Sequence, residues 1–151
     1  MFTWRDVEAQ CPEFADRVRA VFAAGTNKTI ATLRADGSPR ISATELEFNA
    51  GSVTLGMMGA SLKLRDVRRD PRVAIHSPTL EPPEDGEWPG DAKLAGRLVA
   101  VGAPPDHPDP DAGFFEVDLT EVALTYLGDT RDHLVIESWH PNRGHRRRTR
   151  T

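Results

Sequence analysis

The fold of this chain is decided by residues 28–71, which read KTIATLRADGSPRISATELEFNAGSVTLGMMGASLKLRDVRRDP. Thr29–Arg34 and Arg40–Phe48 alternate between apolar and polar residues, the period of a β-strand with one buried face. Asp36–Pro39, between them, has the composition of a turn. A third strand is predicted over Val53–Leu55. The segment therefore predicts consecutive antiparallel strands.

A short helix is predicted directly after these strands, over Ser61–Asp70, with Gly59 before it and Pro71 ending it. The first N–H groups of a helix lack intrahelical partners, and its N-terminus is electropositive. Lys63 and Arg65 add positive charge close to this end. The pattern favours a site for a phosphorylated ligand, although a solvated helix face would show the same charges.

The rest of the chain predicts one domain, 1–151, with a mainly β (α+β) fold. An N-terminal helical segment is expected over residues 1–25, because Phe14, Val18, Val21 and Phe22 form one apolar stripe. Further strands are predicted over Arg72–His76, Ala92–Val101, Phe115–Tyr126, with a bulge near Thr120-Glu121, and His133–Trp139. The spacing predicts an antiparallel split β-barrel of about 6–7 strands, with an N-terminal helix and a short inserted helix. Residues 79–90 and 102–113 are expected to be loops.

Composition favours a cytoplasmic protein. The chain has 151 residues, and no apolar run approaches the roughly 20 residues that a membrane span needs. The first residues lack the order of a signal peptide. The single cysteine, Cys11, excludes an internal disulfide and fits a reducing compartment.

Charge is distributed unevenly along the chain. Five arginines lie in residues 143–151, which leaves 14 cations against 23 acids, a net charge of −9, in residues 1–142. Because nucleic-acid binding depends on neutralising phosphates, a nucleic-acid partner is not expected. The basic tail, 143–151, is expected to be disordered or folded against the acidic body; a functional tail is the alternative.

Three segments together resemble the pyridoxamine 5′-phosphate oxidase-like proteins, which are flavin- and deazaflavin-binding split β-barrels. They are Ile30–Ser42, Gly59–Lys63 and Arg68–Ala74, in this order and at this spacing. The resemblance implies FMN as the cofactor. It also implies a homodimer with the cofactor at the subunit interface, and hydride transfer to or from a small-molecule substrate.

The same resemblance assigns cofactor-binding residues by position. Arg40–Thr44 (Arg40, Ile41, Ser42, Ala43 and Thr44) corresponds to the strand beneath the flavin and its phosphate, and Gly56 and Met57 line the ring system. Ser61 and Lys63 match the phosphate-binding turn, and Arg65 is a further candidate there. Trp139 is a candidate for contact with the flavin of the partner subunit, with burial in the core as the alternative.

Two departures from the family pattern concern the substrate. Glu45 stands where the true oxidase has a second lysine that holds the substrate phosphate, and Leu62-Lys63 stands where the phosphate turn usually has Arg-Lys. A carboxylate repels a phosphate, so pyridoxine phosphate is not the expected substrate. No residue is identified as a catalytic acid or base.

Two alternatives remain on the same fold. One is a reductase dependent on the deazaflavin F420, whose acidic tail the basic residues 143–151 could bind. The other is a non-catalytic flavin- or haem-binding protein. Haem and metal ligation are not expected, because the five histidines lack ligand spacing, although His133 and His140 could converge at a strand end.

Overall fold

The computed structural model describes all 151 residues, in three helices and nine strands. The helices are α1 (Trp4–Gln10), α2 (Pro12–Phe22) and α3 (Leu62–Arg69). The strands are β1 (Lys28–Leu33), β2 (Pro39–Thr44), β3 (Glu47–Asn49), β4 (Ser52–Met57), β5 (Arg72–His76), β6 (Asp91–Val101), β7 (Gly113–Leu127), β8 (Leu134–His140) and β9 (Gly144–Arg150). None of the three helices has the length and apolar character needed to cross a lipid bilayer.

All nine strands belong to one antiparallel sheet, whose main path is β2-β1-β5-β6-β7-β4-β3. Strand β7 is 15 residues long and organises the sheet. One of its edges pairs with β6, whereas the other pairs with β4 over Gly113–Glu116 and with β8 over Val122–Leu127. This switch of partner gives the split barrel predicted from the sequence.

The predicted bulge in β7 is present at Thr120. Ala95 pairs with Glu121 and Gly96 with Leu119, so Thr120 has no partner on β6. The extra residue shifts the side-chain alternation by one. As a result Leu119 and Val122 are both fully buried, although they lie on opposite parities of the strand.

The hydrophobic core lies between the helices and the sheet and contains 26 buried residues. Pro12 begins α2, and the predicted stripe of Phe14, Val18, Val21 and Phe22 is buried. The preceding helix, α1, is capped at its N-terminus, where the Thr3 N–H donates to the Asp6 carboxylate at 2.7 Å. The N-terminal helical segment is therefore two helices that cover the sheet.

One expectation about the strands was wrong, and the basic tail adds a strand that the sequence did not predict. The predicted strand Arg40–Phe48 divides into β2 and β3, because β1 begins at Lys28, opposite Thr44, and offers no partner beyond it. The following residues turn to pair with β4 instead. The tail also forms a strand: all seven residues of β9 pair with β8, so its backbone is ordered by sheet pairing. These additions raise the strand number from six or seven to nine.

Candidate functional site

A cavity of about 750 Å³ lies between β2, β4, the start of α3 and the loop of residues 102–112. Five residues predicted for cofactor binding line it, namely Ala43, Thr44, Gly56, Met57 and Lys63. These residues come from three separate elements, β2, β4 and α3, which the fold brings together although β2 and β4 do not pair with each other in the sheet. The cavity is within the size range of small-molecule sites.

Lys63 provides the positive charge of this cavity, being the only lysine or arginine in its wall. It lies in the first turn of α3, and its Nζ donates to the backbone carbonyl of Ala43 on β2 at 2.5 Å. Desolvation lowers the pKa of the Lys63 ammonium below its usual value. An anion beside Lys63 would thus meet a partly dehydrated cation next to the electropositive end of a helix.

The part of the wall formed by β4 has no side chain at Gly56. A Cβ at this position would come within 2.9 Å of the Phe114 ring. The ring therefore lies directly over the strand, and Met57 beside it is buried. Together they give the cavity an apolar, partly aromatic surface suited to a planar ligand.

The loop of residues 102–112 forms the opposite wall and is fixed to the turn before α3. The Asp109 carboxylate accepts hydrogen bonds from the N–H groups of Gly59, at 2.9 Å, and Asp111, at 3.0 Å. These bonds hold the pKa of Asp109 below its ordinary value. The His107 ring packs edge-on against Phe114 at 4.8 Å. Sequence reasoning placed a loop here but missed its part in the site.

Gly59→Ala is expected to detach this loop. A Cβ on Gly59 would lie 2.8 Å from the backbone carbon and 2.9 Å from the carbonyl oxygen of Asp111, a clash that only loop movement can relieve. Hydrogen exchange of the Asp111 amide should therefore become at least tenfold faster. Gly102→Ala is the matched control, since nothing lies within 4 Å of a Cβ there. Unchanged exchange in Gly59→Ala would show that Gly59 does not set the position of the loop.

Carboxylates also line the cavity. Glu45 and Glu47 are exposed, and neither forms an ion pair. They lie at the junction between β2 and β3, where the chain leaves β1. Their charge makes this end of the cavity unfavourable for a second phosphate.

Arg40 does not line the cavity. Its Nε donates to the Asp66 carboxylate at 2.7 Å. Asp66 is 2% exposed and also accepts bonds from Thr32, at 2.7 Å, and Arg69, at 3.1 Å. Arg40 thus ties β2 to α3, and its charge is neutralised by Asp66. Arg40 holds the position that the resemblance assigns, but its side chain bonds Asp66 and is not part of the cavity wall.

The other predicted site residues also lie outside the cavity wall. Ile41 is 74% exposed and Ser42 is half-buried, both on β2. The Ser61 hydroxyl donates to the Met58 carbonyl at 2.8 Å, and Arg65 is exposed on α3. Trp139 is fully buried, and its indole donates to Gln10 at 2.9 Å. Core burial, the alternative considered for Trp139, is what the structure shows.

Three of the five histidines contact separate acids. His133 contacts Asp132, His140 contacts Glu121 and His145 contacts Glu137. No group of three or more His, Cys, Asp or Glu side chains is placed to bind a metal ion.

Comparison with solved structures identifies the fold. PhzG from Burkholderia lata 383, in complex with tetrahydrophenazine-1-carboxylic acid, superimposes with a TM-score of 0.69 at 10% identity, over 100% of this chain and 97% of that chain. A pyridoxamine 5′-phosphate oxidase-related, FMN-binding protein from Nostoc punctiforme PCC 73102 gives 0.62 at 13% identity, over 100% and 98%. An F420 reductase gives 0.51 at 17% identity, over 68% and 92%. No family profile and no curated protein sequence matches this chain.

This chain has the pyridoxamine 5′-phosphate oxidase-like split-barrel fold. The resemblance found in the sequence is therefore confirmed for the fold. Among split barrels of this kind are proteins described as binding FMN and as F420 reductases. Identities of 10–17% leave the cofactor and reaction of this chain to be argued from its own residues.

Proposed function

We propose that this split barrel binds FMN in the cavity between β2, β4 and α3, and that it is an oxidoreductase acting on a small substrate. The observation that carries the proposal is Lys63, a partly desolvated lysine in the first turn of α3 that faces the cavity. A lysine beside free backbone N–H groups is a favourable site for a phosphate dianion. FMN has a phosphate at one end and a planar ring system at the other.

The residues present fit this cofactor. Lys63 and the first N–H groups of α3 would hold the phosphate, while the surface made by Gly56 and Phe114 would support the flat ring. A cavity of about 750 Å³ accommodates a ligand of this size. The Nostoc protein of the same fold is described as FMN-binding, which supports the choice.

Each group would have a defined task in the reaction. FMN, when bound, supplies hydride chemistry. Lys63 would fix the cofactor, and the loop of residues 102–112 would limit the access of water. Glu45 and Glu47 would disfavour a phosphorylated substrate, which supports a substrate other than pyridoxine phosphate.

An F420-dependent reductase is the second candidate, favoured by the F420 reductase of the same fold. Fluorescence titration of the purified protein with FMN and F420 in parallel separates the two. We expect saturable binding of FMN, tighter than that of F420. Tighter binding of F420 would identify F420, and not FMN, as the cofactor. Binding of neither compound would contradict the flavin proposal.

We further propose that the protein is a homodimer that completes the cavity from the partner subunit. Two exposed apolar side chains, Met58 (74%) and Val101 (43%), line the cavity. Leu62 (52%), next to Lys63, and Val99 (40%), two residues before Val101 on β6, are exposed as well. A cluster of this kind at the rim of an open cavity is typical of a surface that is covered in an assembly.

Val99→Glu is expected to weaken the dimer more than tenfold, because it places a charge in the proposed contact. Analytical ultracentrifugation measures the effect. Leu134→Glu is the control, since Leu134 is similarly exposed (38%) but lies on β8, away from the cavity. A larger effect of Leu134→Glu would place the interface elsewhere.

A further inference from the structure

Strand β9 presents a row of arginines on its outer face. Arg146, Arg148 and Arg150 lie on the same side of the strand, because side chains alternate along it. All three are exposed, and none forms an ion pair or a hydrogen bond through its side chain. In a chain whose acids outnumber its lysines and arginines, 23 to 19, these charges are left unpaired.

The neighbouring strands do not neutralise this row. On β8 the three arginines face Ser138, Ile136 and Leu134. The next positions, on β7, are Ala123, Thr125 and Leu127. None of these six residues is acidic. The outer face of β9 is therefore a basic row beside small and apolar side chains, open to a partner of opposite charge.

The opposite face of β9 anchors the strand to the protein. His145 Nε2 lies 2.8 Å from the Glu137 carboxylate, and the His145 ring lies 5.0 Å from Phe14. Glu137 also accepts hydrogen bonds from Arg17, at 3.0 Å, and Tyr126, at 2.6 Å. These contacts join β9 to α2, β7 and β8. These contacts order β9 in the free protein. Binding of a partner therefore does not require a further loss of conformational entropy to order this strand.

The other edge of β9 has no strand beside it, since β9 pairs only with β8. Alternate backbone N–H and C=O groups along this edge are free to bind an added strand. We propose that β9 binds an acidic, extended peptide segment of a partner protein by strand addition. Arginines at every second residue repeat at about 6.6–6.8 Å, the same repeat as carboxylates at alternate positions of the added strand. Opposite charges would then face one another across the ladder.

Two other occupants fit this edge less well. A second copy of β9 would place arginines opposite arginines, which is unfavourable. A nucleic acid has no peptide backbone to pair with the edge. It would also extend beyond the short strand towards residues 1–142, which carry a net charge of −9.

Fluorescence anisotropy with labelled seven-residue peptides tests the proposal on the full chain. One peptide, the threonine peptide, alternates glutamate with threonine, and the second is the same peptide with every backbone amide nitrogen methylated, which keeps the charge but removes all backbone N–H donors. We expect the threonine peptide to bind at least tenfold more tightly. Equal affinities would overturn strand addition, and so would tighter binding of an oligothymidylate of the same length.

Two variants supply the matched comparison. Arg148→Glu changes the centre of the outer row, whereas Arg143→Glu makes the same charge change at an exposed residue of the turn before β9. We expect Arg148→Glu to weaken binding of the threonine peptide more than tenfold and Arg143→Glu less than threefold. Both side chains are exposed, so the fold should persist, which circular dichroism checks. Equal losses in the two variants would overturn the assignment to the outer face.

Discussion

Lys63→Glu is expected to weaken FMN binding by more than tenfold, a loss of over about 1.4 kcal/mol. The substitution removes the only lysine or arginine of the cavity wall and places a carboxylate beside the proposed phosphate position. Repulsion and the lost charge-assisted hydrogen bond act in the same direction. Titration of the apoprotein, followed by flavin fluorescence, measures the effect.

Arg65→Glu is the control for this prediction. It makes the same charge change on the same helix, two residues away, but Arg65 is exposed and does not line the cavity. We expect less than a threefold change in FMN affinity. If the two variants weakened binding equally, the effect would reflect the overall charge of the helix, and the phosphate site would not be at Lys63.

Asp66→Asn is expected to lower the free energy of unfolding by about 3 kcal/mol, the lower end of the range for a broken buried ion pair. Asp66 is 2% exposed and links β1, β2 and α3 through Thr32, Arg40 and Arg69. The loss of stability falls at this lower end because the Arg40 side chain keeps 21% of its surface exposed, so water can hydrate its charge when the ion pair is broken. Urea unfolding at pH 7 measures the loss. Asp70→Asn breaks a more exposed ion pair, with Arg72, and should lower the free energy of unfolding much less.

The pH dependence of the free energy of unfolding provides a second test of the interactions made by Asp66. Burial alone would raise the pKa of Asp66, but hydrogen bonds from Arg40, Thr32 and Arg69 outweigh it and hold the pKa below its usual value. A lowered carboxyl pKa stabilises the fold above the unfolded-state pKa of about 3.9, and this contribution is lost as the pH falls through the folded-state pKa. The stability difference between wild type and Asp66→Asn should therefore shrink below pH 4. A difference that stayed constant to pH 2 would contradict the assigned ionisation of Asp66.

The parts of the fold that follow local periodicity could be predicted from the sequence. The apolar stripe of α2 repeats with the helical period, and the change of parity between Leu119 and Val122 required a bulge, which is present at Thr120. The position of α3 followed from a start at Ser61 and a stop at Pro71. These features depend on neighbouring residues, so one sequence suffices to find them.

The parts that depend on long-range pairing could not be predicted. Nothing in the sequence near Arg40 indicates that Asp66, 26 residues later, takes up its charge. Arginine-rich β9 lacks an apolar alternation and forms because β8 offers it a partner. The loop of residues 102–112 is rich in proline and aspartate, but its position over the cavity depends on the bond between Asp109 and Gly59. Sequence spacing does not show such contacts.

The most direct test of the central proposal compares the affinities of the wild-type protein for FMN and for riboflavin, which has the same ring system without the phosphate. If Lys63 and the start of α3 hold the phosphate, FMN should bind at least tenfold more tightly than riboflavin, and Lys63→Glu should abolish most of this difference. Equal affinities in the wild type, or no binding of FMN, would contradict the proposal that this cavity is an FMN site.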